Sequence, residues 1–229
     1  MQSCPGSPGG ARALAEVLAA ELDRAGVDTL FGLPGGGPNL DMIGAAGAAG
    51  MRFVLAHGET AACIMAGTYG LLSGVPGVCV VTRGPGVTSA ANGLAQATLD
   101  RFPLLLVSDA VPGAEAHRVA RQRFDQTRLT APITKWSGTL GDRRPGDVVG
   151  AALALALRAP AGGVHLDFDP SVPGDDPPGV PPEPPGTGGP ELRRARALAE
   201  RARRPVVLVG PEAIPAGAAV RELVERLGC

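Results

Sequence analysis

The stretch Phe53–Tyr69, FVLAHGETAACIMAGTY, decides the fold. It begins as a short apolar run of extended-chain formers and ends as a helix of small residues, with one acidic residue, Glu59, at the changeover. A strand passing directly into a helix is the repeating step of a parallel sheet, and such sheets place their ligands beyond the strand ends. Glu59 has two readings. It is a first-turn residue favoured by the positive end of the helix dipole by about 0.3–1 kcal/mol, or it is a carboxylate that does chemistry.

The same step recurs on both sides of this stretch. Upstream, Leu14, Val17, Leu18 and Leu22 recur at helical spacing between Ala11 and Ala25, and Gly26 supplies the stop. Val27 to Leu33 reads as a strand that ends in Pro34-Gly35-Gly36-Gly37, and a helix follows to about Ala49. Arg52 to Ala56 is the strand that leads into the Glu59 helix, which runs to about Ser73. Downstream, Val78 to Thr82 and Leu104 to Ser108 are near-continuous apolar runs, as expected of strands buried on both faces. Arg83-Gly84-Pro85-Gly86 separates the first of them from a helix over Val87 to Leu99. An Arg/Gln-rich segment follows, then Ile133 to Trp136, a helix over Pro145 to Leu157 and a last strand over Val164 to Phe168. The pattern predicts an α/β fold, a doubly wound, mostly parallel sheet with helices on both faces.

Four segments divide the chain. Residues 1–10, MQSCPGSPGG, read as a flexible leader, and residues 11–169 as the α/β domain. Residues 170–190 are so rich in proline and glycine that they read as an extended linker. Residues 191–229 then offer a basic helix (Glu191 to Arg203), the apolar run Pro205 to Gly210 read as a buried strand, and a helix over Ala216 to Leu227. One strand and two helices cannot bury the faces of a sheet. A second α/β segment is therefore expected to begin here and to be incomplete.

Composition sets outer limits. Hydrophobic residues make up 45% of the 229 and aromatics 3%, so the core must be built from Ala, Val and Leu. A formal charge of −1 offers no basic surface for nucleic acid or an anionic membrane, and no apolar stretch is long enough to span a bilayer. Cys4, Cys63, Cys79 and Cys229 lack metal-site spacing, and Cys63 and Cys79 read as small buried hydrophobes. A soluble cytoplasmic setting is the expectation.

The other chemistry-bearing residues carry weaker signals. Gly35 to Gly37 and Gly84 to Gly86 each follow a strand and precede a helix, where free backbone N–H groups can meet anions or where the chain simply turns. Gly84-x-Gly86-x-x-Ser89 approaches a dinucleotide fingerprint without the closing acidic residue. His57, His117 and His165 are scattered and read as surface or satisfied interior residues. Ser73, Ser89 and Ser108 lack a nucleophile elbow. Asp167 and Asp169, at a strand end, read as caps or solvent-facing groups, and Arg118 to Arg128 as a solvated or subunit-facing tract.

Taken in order, FGLPGG (31–36), the H-x-E-T-A-A segment of residues 57–62 with its helix ending in Tyr69, GVPGVCVVTRGPGVTSAANGLAQATLDRFPLLLVSD (74–109), FDQ (124–126), APITKWS (131–137) and GGVHLDFDPSV (162–172) resemble the thiamine-diphosphate-dependent enzymes of the acetolactate synthase and 2-keto acid decarboxylase type. The resemblance covers about residues 11–173, the family's pyrimidine-binding domain. RRPVVLVGPEA (203–213) and VRELVERLG (220–228) resemble the opening of its central domain.

That resemblance implies roles. Glu59 would hydrogen-bond N1′ of the cofactor's aminopyrimidine and favour the imino form, whose 4′-nitrogen takes the proton from thiazolium C2. The activated cofactor then adds to a 2-keto acid and accepts electrons as CO2 leaves, in decarboxylases and carboligases alike. Pro34, Gly35, Gly84 and Pro85 would pack around the pyrimidine ring. Asn92 would be a further cofactor contact or an ordinary helix residue. Gln122 falls in the family's F-Q-E-x-D-Q stretch when Asp125-Gln126 is aligned with its D-Q, and would face the substrate from a neighbouring subunit; Arg121 and Arg123 replace the usual Phe and Glu. Gly58 stands where relatives often carry His, and Gly67-Thr68 where Asp-Gly is common, changes that leave Glu59 intact.

No segment resembles the family's G-D-G…N element, which binds Mg²⁺ and the diphosphate. The resemblance therefore implies half of a site, with no metal ligands of its own. The diphosphate-binding domain would come from a missing C-terminal part or from a partner chain, and a homodimer or higher oligomer is implied. FAD, bound in some relatives, belongs to the central domain and is left open. Two other readings remain at this point: a catalytically silent regulatory module that pairs with a full-length relative, and a nucleotide-binding Rossmann domain.

Overall fold

Apolar runs become strands and the small-residue segments between them become helices. Residues 8–115, 117–182 and 189–229 are described by the structure, a computed structural model. Residues 1–7 of the expected leader, with Cys4, and residues 183–188 of the expected linker lie outside the described residues. The chain divides into two units between Pro181 and Pro182.

In the first unit the elements are α1 (Pro8–Arg24), β1 (Thr29–Gly32), α2 (Pro38–Ala48), β2 (Arg52–Leu55), α3 (Glu59–Ser73), β3 (Gly77–Val81), α4 (Pro85–Leu99), β4 (Leu104–Asp109), α5 (Gln126–Thr130), β5 (Trp136–Leu140), α6 (Pro145–Leu157) and β6 (Gly163–Phe168). The six strands form one sheet in the order β2-β1-β3-β4-β6-β5, and every pairing is parallel. The expected doubly wound α/β sheet is present. The first helix starts at Pro8, three residues before its expected start. The strand near Ile133 begins only at Trp136, because residues 131–133 form a 3₁₀ turn.

Strand alternation divides the core into two layers. Val78, Val80, Leu105, Val107, Val164 and Leu166 face the layer built by α1, α2 and α6. Cys79, Val81, Leu104 and Leu106 face α3 and α4. Cys63 and Cys79 are fully buried free thiols 3.6 Å apart, the small hydrophobes that the sequence suggested. Burial pushes the Cys79 thiol well above its ordinary range, with the neighbouring Cys63 and Glu59 adding to the rise.

α3 lies unusually close to the sheet, which explains its composition. A Cβ on Gly77 would stand 1.8 Å from the carbonyl oxygen of Ala66, and one on Gly70 would stand 2.5 Å from the Gly77 nitrogen. One on Gly93 of α4 would meet the Thr60 carbonyl oxygen at 2.7 Å, so α4 is equally tight against α3. The far end of α3 is anchored by Tyr69, whose hydroxyl donates to Asp28 Oδ1 at 2.7 Å and whose ring centroid lies 5.5 Å from that of Phe31. Ser171 to Asp176, part of the expected linker, runs beside edge strand β5. Asp142 N donates to Val172 O (3.1 Å), Asp175 N to Thr139 O (2.9 Å) and Thr139 N to the Asp175 carboxylate (2.7 Å). The proline-rich stretch thus begins as cover for a sheet edge.

The second unit contains α7 (Pro190–Arg201), a 3₁₀ segment (Pro211–Ala216) and α8 (Gly217–Leu227). Pro205–Gly210, expected as a buried strand, forms none, and Val206 and Leu208 are 83% and 93% exposed. A strand needs neighbours to satisfy its backbone, and this unit supplies none among the described residues. No described helix is long and apolar enough to cross a membrane.

The tight seat of α3 yields a test. Gly77→Ala should lower unfolding stability by about 1–3 kcal/mol through overpacking. Gly47→Ala, on α2 with nothing within 4 Å of the added Cβ, should be neutral or stabilise by up to about 1 kcal/mol. Urea unfolding of the two variants beside the parent chain measures both.

Candidate functional site

The strand order fixes where a site can form. From β1 the chain moves outward to β2, then returns through α3 to β3 on the other side of β1. The order reverses between β1 and β3, and the crevice beyond their carboxyl ends is where doubly wound sheets bind ligands. Three chain segments meet there: the turn after β1 (Leu33 to Gly37), the turn after β3 (Thr82 to Gly84), and Glu59, the first residue of α3 after β2.

Close backbone approach brings these segments together. A Cβ on Gly35 would stand 2.5 Å from Thr82 Oγ1, so the two turns touch. A Cβ on Gly86 would lie 3.7 Å from Glu59 Oε1 and 3.0 Å from Thr82 Cγ2. Gly37 and Gly84 adopt φ of 61° and 66°, which L side chains rarely tolerate. Glu59 is half-buried, and its carboxylate makes no hydrogen bond or ion pair among the described residues.

Three amides of the two turns are bonded within the chain. Gly35 N–H donates to Asn39 Oδ1 at 2.7 Å, Arg83 N–H to Asp109 Oδ1 at 3.0 Å, and Gly84 N–H to Gln126 Oε1. These three amides are engaged within the chain and are not free to meet a pyrophosphate.

The remaining residues singled out in the sequence are placed as follows. Pro34 and Pro85 are exposed on the rims of the two turns, and Gly84 is buried beneath. Gln122, at φ 59°, is pressed against the second turn: a Cβ on Gly84 would stand 2.7 Å from its carbonyl oxygen. It lines a cavity of about 200 Å³ with Gln126, Asp167 and Asp169. Asn92 is exposed on α4, one helical turn beyond Ser89, whose carbonyl accepts the Thr60 hydroxyl at 2.5 Å. Glu59, Gly35, Gly84 and Gly86 are thus brought together, whereas Asn92 lies outside the contacts that join them.

Behind the Gly84 turn is a buried polar network that sequence reasoning missed. Gln126 donates from Nε2 to Asp167 Oδ1 (2.6 Å) and to the Asp109 carbonyl (3.1 Å). Ser108 donates to Asp167 Oδ1 (2.9 Å) and meets His165 Nε2 at 2.8 Å, while Thr130 and Ser137 meet His165 Nδ1 at 2.8 and 3.0 Å. Asp167, expected to cap or face solvent, is instead buried, and burial pushes its carboxyl up to about 7. Burial likewise lowers His165 to about 3 and raises Asp109, which the Arg83 guanidinium partly offsets from 3.4 Å. Asp169 does cap, accepting from Gly113 N (3.1 Å) and Ser171 N (2.9 Å). One signal was available: His165 and Asp167 alternate within a strand whose other residues are apolar, so both must face one buried layer and find partners there.

The raised Asp167 carboxyl makes stability depend on pH. Between pH about 4 and 7 the unfolded chain releases this proton while the folded chain keeps it, so the group's contribution falls as pH rises through that window. Asp167→Asn retains an acceptor for Gln126 and Ser108 and should remove this fall, of order 2–4 kcal/mol. His165 acts in the opposite direction, losing stability as pH falls, so the quantity to measure is the difference between the two proteins. Urea unfolding followed by the single tryptophan, Trp136, should show curves that converge toward low pH if Asp167 is responsible.

Comparison with known proteins places this geometry. Residues 12–129 match the family model described as thiamine pyrophosphate enzyme, N-terminal TPP binding domain. The chain is 35% identical over 227 residues to a probable 2-ketoarginine decarboxylase of Pseudomonas aeruginosa, covering 93% of this chain and 40% of that protein. It is 34% identical over 231 residues to an acetolactate synthase large subunit of Parasynechococcus marenigrum (93% and 37%). To a 2-hydroxyacyl-CoA lyase of Saccharomyces cerevisiae it is 30% identical over 150 residues (66% and 27%). The chain spans about two fifths of the length of the first two curated relatives. It belongs to the thiamine pyrophosphate enzymes and carries their N-terminal TPP-binding domain.

Proposed function

We propose that this chain supplies the aminopyrimidine-binding and activating half of a thiamine-diphosphate-dependent decarboxylase or carboligase acting on 2-keto acids, with Glu59 as its catalytic residue. The observation that carries this reading is the half-buried, unpartnered Glu59 carboxylate at the β1–β3 switch point, 3.7 Å from where Gly86 would carry a Cβ. The residues fit the group. Glu59 offers a carboxyl to a ring nitrogen, and the lack of side chains at Gly35 and Gly86 leaves backbone edges against which a flat ring can pack. The internally bonded amides of Gly35 and Gly84 make the walls suited to a neutral ring, not to the diphosphate.

When bound, thiamine diphosphate supplies the thiazolium carbon that adds to the keto group and takes up electrons as CO2 departs. Glu59 would hold a proton between its Oε atom and the ring nitrogen, which makes the ring's amino group more acidic and so favours the imino form, whose nitrogen can accept a proton. Pro34 and Pro85 would shield that proton from water at the rims. Gln122 would face the substrate from a neighbouring subunit, and Asn92 would be a further cofactor contact. The name of one relative, a probable 2-ketoarginine decarboxylase, supports a 2-keto acid as substrate class.

Mg²⁺ and the diphosphate would be held by a domain outside this chain, belonging to a longer form of the protein or to a partner. Homodimerisation is part of the proposal. It is supported by Met65 (37% exposed), Leu72 (73%) and Leu99 (81%) on α3 and α4, the helices that carry or adjoin Glu59. A reducing cytoplasmic setting is proposed from the free thiols of Cys63 and Cys79.

The chain, combined with the diphosphate-binding remainder of the Pseudomonas relative, thiamine diphosphate and Mg²⁺, should release CO2 from a 2-keto acid. Glu59→Gln should cut that rate at least about 100-fold, the usual contribution of a positioned acid–base group. A restored rate indifferent to Glu59→Gln would sink the mechanism. A combination that stays silent but alters a full-length relative's turnover would favour the regulatory alternative.

A further inference from the structure

In the turn after β3, Arg83 is tied to Asp109 and to the Ala110 carbonyl, whereas Gly84 has no side chain to hold it where it lines the wall beside Glu59. What fixes Gly84 comes from two distant segments. Gln126 opens α5, and its side-chain oxygen Oε1 accepts the Gly84 N–H across 42 residues of sequence. The amide nitrogen of the same side chain donates to Asp167 on β6 at 2.6 Å and to the Asp109 carbonyl on β4 at 3.1 Å. Gln126 is only 4% exposed and Asp167 8%, so water does not compete for these bonds. Donor and acceptor ends of one side-chain amide are both engaged, which defines its orientation. Asp167 is held in turn by Ser108 at 2.9 Å.

We propose that Gln126 and Asp167 are positioning residues for the Gly84–Gly86 turn, with the Gln126 amide bridging the Gly84 N–H to the Asp167 carboxyl and so setting the distance between that turn and Glu59. The bridge explains three features otherwise unrelated. It gives a buried acid and a buried amide mutual partners. It accounts for Asp125 as the cap of α5, accepting Arg128 N at 2.8 Å, because that cap fixes the start of the helix that presents Gln126. It also explains why Gly84 faces inward at positive φ, since its N–H must reach a side chain below the turn and any Cβ would stand 2.7 Å from the Gln122 carbonyl oxygen. Gln126 touches neither the cofactor nor the substrate in this account and acts through the turn alone.

The proposal rests on the reading that the Gly84 turn lines the cofactor site, and the test separates the two. Gln126→Met keeps the volume and removes both polar ends. Amide hydrogen exchange of the full chain, followed by NMR, should show the Gly84 N–H exchanging at least 10-fold faster, with Val80 and Leu106 in the neighbouring strands unchanged. In the chain combined with a diphosphate-binding partner, the thiamine diphosphate concentration for half-saturation should rise at least 5-fold while kcat stays within about twofold. Asp167→Asn, which retains the acceptor, should leave both readouts near the parent values. Unchanged exchange at Gly84 in Gln126→Met overturns the bridge whatever the cofactor assignment. Faster exchange with unchanged half-saturation overturns its role at the site. Failure of the cofactor reading itself shows separately, as turnover that ignores Glu59→Gln.

Discussion

The nearness of α3 to the sheet is the constraint on which the rest depends. With Gly77 and Gly70 at the contact, helix backbone rests on strand backbone, and no side chain separates them. That seat brings the first turn of α3 down to the level of the strand ends, so that Glu59 sits beside the turns after β1 and β3 and does not project above them. α4 follows through Gly93, and its own first turn, Gly86, then lies against the Glu59 carboxylate. A bulkier helix would stand off from the sheet and lift the acid out of the crevice. The small residues on the buried face of α3, Ala62, Cys63, Ala66, Gly67 and Gly70, are what this close seat requires.

Around the acid, most of the turn amides and buried polar side chains find partners within the chain. The turn amides bond to Asn39, Asp109 and Gln126, Asp167 accepts from Ser108 and Gln126, and His165 bonds to Ser108, Thr130 and Ser137. Glu59 takes part in none of these bonds, while Asn39 Nδ2 and Asp109 Oδ2 remain without a hydrogen-bond partner.

Much of this was legible in the sequence because the governing signals are local. The run Val78 to Val81 and the prolines at the starts of α2, α4 and α6 announce their elements directly, and Glu59 is marked by sitting where period two gives way to period 3.6. β5, with the sequence WSGTL, was not legible, because an edge strand shielded by Ser171 to Asp176 needs no apolar run. Pro205 to Gly210 misled in the opposite sense: its residues favour a strand, but pairing partners are a property of the fold and not of the run. The Gly84–Gln126–Asp167 bridge was invisible for a related reason. Its members lie on three segments far apart in the chain, and no periodicity links them. Only the odd polarity of β6 hinted that something in that layer had to satisfy it.

The central claim is that a flat ring binds against Glu59 between the two turns. It is tested most directly by titrating the ¹⁵N-labelled chain with thiamine diphosphate and following the amide resonances. The account predicts a contiguous set of shifting amides at Gly35, Gly58, Glu59, Gly84 and Gly86, weakened in Glu59→Gln. Saturating ligand that leaves these amides in place, or that moves a cluster elsewhere, such as the α1–α2 groove lined by Glu16 and Asp41, would contradict it.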